Sequence, residues 1–96
     1  MPLSPEFKKY LDDTILGIIA GIPTLKKEYP RFKDDWGFAS DFDFLYGCIV
    51  GQMLGTGLTA FKMTYEREAS PDEILSIGEL VESYFPAIRE GIGPQS

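Results

Sequence analysis

Apolar residues recur near the start of the chain at steps of one, three or four: Phe7, Tyr10, Leu11, Ile15, Ile18, Ile19 and Ile22. That spacing draws a single helical stripe, with Lys8, Lys9, Asp12 and Asp13 on the outer side. Ser4-Pro5-Glu6 supplies a cap, a first-position proline and a carboxylate at the positive end of the dipole. Pro23 disfavours helical geometry at Ile22, so the pattern predicts a helix over about 5–22. A similar stripe closes the chain, with Ile74, Ile77, Val81, Tyr84, Ile88 and Ile92 opposite Glu79, Glu82, Arg89 and Glu90. Ser70-Pro71-Asp72-Glu73 opens it as a capping box. The expected span is about 71–91 with a kink or break near Pro86, followed by a loose tail over 93–96.

Between these two stripes the pattern changes. From Ser40 to about residue 69 runs a proline-free segment in which Leu45, Cys48, Ile49, Val50, Met53, Leu54, Leu58 and Phe61 point all the way round a helix. A helix apolar on every side must be buried on every side, and two further helices can hardly surround it. A second copy of the chain is the expected source of the missing cover, which predicts a homodimer. Cys48 reads as a small buried apolar residue. Gly47, Gly51 and Gly55 are spaced by four, and each costs about 1 kcal/mol against alanine within a helix. A ridge without Cβ atoms lets another backbone approach closely. Gly17 and Gly21 form a matching pair, expected to face that ridge within the chain or across a twofold axis. The uncharged run Phe44–Phe61 is near the minimum length for a bilayer span, but Gln52, two threonines and four glycines hold its mean hydropathy below that of a typical spanning segment. A helix buried in protein is favoured over a membrane span.

Residues 23–39 read as an ordered connecting loop, with one or two helical turns allowed over 24–29. Seven of the thirteen aromatics fall between Tyr29 and Tyr46. The leading account is that the loop pins itself across the bundle. The functional alternative is a ligand or partner surface built from Tyr29, Phe32, Trp36, Phe38 and Phe42.

Composition narrows the chemistry. The 96 residues include no histidine, one cysteine, nine Lys plus Arg and fifteen Asp plus Glu, for a net charge of −6. Histidine triads and His-ligated metal sites are excluded from a single chain, and the charge argues against nucleic acid as a partner. One cysteine makes neither a disulfide nor a CxxC pair, and the start shows no targeting segment, so a cytoplasmic location is expected. The remaining metal candidates are carboxylates. Glu79-x-x-Glu82 has a spacing similar to that of all-α metal-dependent nucleotide pyrophosphohydrolases, but the second acidic pair such enzymes need on a later helix is reduced here to Glu90. Lys26, Lys27, Arg31 and Lys33 cluster, yet Glu28, Asp34 and Asp35 balance them.

The sequence therefore predicts one all-α domain over 1–96 with three main helices, completed by dimerisation. Its leading functional expectation is a non-catalytic interaction or regulatory module that needs no cofactor, with itself and another protein as partners. The alternatives are a magnesium-dependent hydrolase using Glu79 and Glu82, and a carrier of lipid or another apolar ligand between glycine-spaced helices.

Overall fold

Each expected helix start is present. In a computed structural model that describes residues 3–28 and 40–93, Ser4 caps α1 (Pro5–Ala20) by accepting from the Phe7 amide at 3.1 Å. Ser40 caps α3 (Asp41–Tyr65) through the Asp43 amide. Ser70 and Glu73 form the reciprocal capping box of α4 (Pro71–Glu82). The described residues are all-α, with no strand among them.

Two boundaries differ from the sequence expectation. The first helix ends at Ala20 rather than Ile22, and α2 (Ile22–Glu28) begins at once, so the one or two helical turns allowed over 24–29 are present to Glu28 and start two residues earlier. The break falls at Gly21, which leaves Pro23 in the first turn of α2, where its missing amide has no carbonyl to serve. The middle helix stops at Tyr65, because Glu66 takes the left-handed conformation at φ 57°. Near Pro86 the chain breaks outright: α4 ends at Glu82, Ser83 and Tyr84 turn, and α5 (Phe85–Ile92) carries Pro86 in its first turn.

α1 runs antiparallel to α3. The Ser4 hydroxyl lies 3.0 Å from the Tyr65 hydroxyl, and Phe7 packs edge-on against Phe61 with centroids 5.6 Å apart. Deeper in, α1, α3 and α4 meet at Gly57, where an added Cβ would stand 3.0 Å from Ile77 Cγ2 and 3.3 Å from Leu11 Cδ1. Gly91 plays the same part between α5 and α2, with Ile22 Cδ1 2.9 Å from where its Cβ would be. Leu11, Ile15, Ile22, Ile49, Met53, Phe61, Ile77, Val81 and Ile88 form the fully buried centre. α5 closes the far end by packing Phe85 edge-on against Tyr46, whose hydroxyl accepts a hydrogen bond from Arg89 at 3.0 Å.

Candidate interaction surface

α3 is divided lengthwise. Leu45, Ile49, Met53, Gly57, Ala60 and Phe61 face the bundle and are buried. Gly47, Cys48, Gly51, Gly55, Leu58 and Thr59 lie on the opposite side and are exposed. Cys48 is thus not the buried small residue that the all-round apolar pattern implied, because the bundle supplies cover on one side of α3 only. α3 is long and apolar enough to cross a membrane by length and composition, and only 28% of its apolar 18-residue window is buried among the described residues, so within one chain it is not the all-round buried helix that its apolar pattern led one to expect.

The glycine ridge stands on this outward side. Among the described residues, Cβ atoms added at Gly47, Gly51 or Gly55 would meet nothing within 4 Å, and the same holds at Gly17 on α1. At Gly21 the nearest atoms are carbonyl oxygens of its own helix. Within one chain, then, the two sets of glycines do not pack on each other. Beside the ridge an open cleft of about 460 Å³ runs between α1 and α3, with Tyr10 on one wall and Gln52, Gly55, Thr59 and Met63 on the other. Tyr10 is 53% and Met63 77% exposed, so the outward side of the α1/α3 pair presents more apolar surface than the ridge alone.

Of the aromatic surface expected from sequence, Phe42 is buried and packs edge-on against Tyr46, so it belongs to the core and offers no contact surface. Tyr29, Phe32, Trp36 and Phe38 lie outside the described residues. Glu79 and Glu82 are both exposed on α4; Glu79 edges a cleft of about 340 Å³ with Lys8, Ser76 and Ser83. Among the described residues no three His, Cys, Asp or Glu side chains gather closely enough to hold a metal ion.

Two polar contacts that the apolar pattern did not single out tie the bundle together. Arg67 grips Glu73 through two parallel hydrogen bonds of 2.8 and 2.9 Å, while its guanidinium lies 5.0 Å over the Phe61 ring. The bonds from Arg67, helped by the Ser70 amide, hold the Glu73 carboxyl down at about 2. Tyr84 donates to Asp12 at 2.8 Å, joining the end of α4 to α1. Burial at Asp12 opposes ionisation, but hydrogen bonds from Lys8 and Tyr84 and the Lys8 charge outweigh it and leave the carboxyl below its ordinary value. Burial raises the Tyr84 phenol, and the bond to Asp12 adds to the effect. Both contacts are structural, since each charged group is already satisfied by a neighbour.

No protein-family model matches the sequence, and no curated protein or solved structure is significantly similar to it.

Proposed function

We propose that the chain is a self-associating interaction module whose contact surface is the outward side of α3. The observation that carries this reading is the placement of Gly47, Gly51 and Gly55 on an open apolar helix face. Each glycine costs about 1 kcal/mol relative to alanine in a helix, and nothing among the described residues needs their missing Cβ atoms. A monomer would be more stable with alanine at all three. Close approach of a second backbone supplies the missing physical reason, and it also covers Cys48 and Leu58.

Light scattering on the wild type and on a Leu58→Glu variant tests the reading. Leu58 is 36% exposed, so a melting curve of the variant at low concentration, read beside the scattering, separates any loss of folding from a loss of association. The expected result is a wild-type mass above that of one chain, reduced to one chain by the substitution. A wild type that scatters as one chain at about 100 μM rejects the proposal.

A further inference from the structure

Three aromatic rings meet where the start of α1 lies beside the end of α3. Phe7 and Tyr10 come from α1, with centroids 6.3 Å apart, and Tyr65 comes from α3, 5.8 Å from Phe7. A small cleft of about 270 Å³ opens at that junction, lined by these rings together with Ser4, Glu6 and Thr64. Phe7 is buried while Tyr10 and Tyr65 are exposed, so Phe7 makes the floor and the two tyrosines the walls. The Tyr65 ring is held in place by its hydroxyl, 3.0 Å from that of Ser4, and by Phe61 at 4.5 Å between centroids.

We infer that this cleft binds a small free quaternary ammonium cation of the choline type. Ring faces carry negative potential, and several of them converging on one space attract a cation that sheds its water easily. Glu6 adds a carboxylate to the wall; it is exposed and makes no hydrogen bond or ion pair among the described residues. The positive end of α1 and the negative end of α3 meet here and offset each other, which leaves Glu6 to set the sign. Lys8 and Lys9 do not line the cleft, and Asp12 and Asp13 hold them at 3.0 and 2.9 Å. Arg67 lies 6.0 Å from the Tyr65 centroid but also outside the cleft, with Glu73 neutralising it.

Methylation of the ligand follows from the lining. A primary ammonium would turn N–H donors toward ring carbon and leave them unpaired, whereas a trimethylammonium group has none to satisfy. Size limits the occupant as well: the cleft lies below the range of about 300–1,000 Å³ typical of drug-sized ligands, which restricts it to a group of choline size. No residue of the glycine ridge lines this cleft, so the inference stands apart from self-association.

An NMR titration of the full chain with choline chloride at constant ionic strength tests the site. The comparison ligand is the neutral isostere of choline, in which a tert-butyl group replaces the trimethylammonium. Three rings and one exposed carboxylate correspond to a dissociation constant of about 1–10 mM, read as saturable shifts in the Tyr10 and Tyr65 ring signals. The isostere should bind about tenfold more weakly, because it lacks the charge. Tyr10→Leu keeps an apolar wall without the ring and should bind choline about threefold more weakly. Glu6→Gln should also weaken binding, with the difference shrinking as salt is added. Both positions are exposed, and the amide spectrum of each variant reports that the fold is kept. Equal affinity for choline and its isostere would overturn the inference, as would undiminished binding in Tyr10→Leu or no saturable shift up to about 100 mM choline. Binding of a trimethyl-lysine peptide with no response to choline would overturn the choice of a free cation as the occupant.

Discussion

Arg67 and Glu73 form a two-pronged contact at the corner between α3 and α4, with the Glu73 carboxylate also accepting from the Ser70 amide at 2.8 Å. The carboxyl titrates near 2 in the folded chain against an ordinary 4.5. A lowered folded value means that the contact's stabilisation is complete above about 4.5, drains away as the pH falls through that window, and is gone near 2. Glu73→Gln keeps an acceptor for the cap but loses the charge. Its melting temperature should lie below wild type at pH 7, with the gap closing by pH 2. A gap that stays constant down to pH 2 would contradict the assignment.

The same corner depends on its cap. Ser70→Ala removes the oxygen that accepts from the Glu73 amide, and the loss should be about 1 kcal/mol, seen as a melting temperature about 4–8 °C lower.

Glu66 is the one non-glycine residue at positive φ among the described residues. Its left-handed geometry ends α3, and a side chain there costs about 1 kcal/mol that glycine avoids. Glu66→Gly should stabilise the fold by about 0.5 kcal/mol or more in urea unfolding, with an unchanged denaturant slope.

Two glycines on one helix should respond to alanine in opposite ways. Gly57→Ala forces a methyl group against Ile77 and Leu11, and urea unfolding should show a loss of about 1–3 kcal/mol. Gly51→Ala points into open space and should raise the stability of the isolated chain by up to about 1 kcal/mol. In the proposed dimer it separates the two ridges, so the same substitution should weaken association. Stabilised folding together with tighter association would contradict the account.

Local signals in the sequence located every helix start that rests on a serine cap, because Ser4, Ser40 and Ser70 act on amides only three residues away. Facing was harder to read. Ile74 continues the apolar stripe of α4, yet it is 46% exposed while Glu73 beside it is buried. A carboxylate goes inside there because Arg67 arrives from the preceding helix end, and no periodicity carries that information. The glycines show the same limit. Gly51, Gly55 and Gly57 look alike in sequence, but only Gly57 lies on the side where α1 and α4 converge. The break at Gly21 escaped because Pro23 marks a nearby interruption without fixing which residue yields.

Sedimentation equilibrium of the unmodified protein over a concentration series reads self-association without any substitution. The expected result is a reversible equilibrium between one chain of 10.7 kDa and twice that mass, populated within about 1–100 μM. A single species at the mass of one chain across that whole range would contradict it.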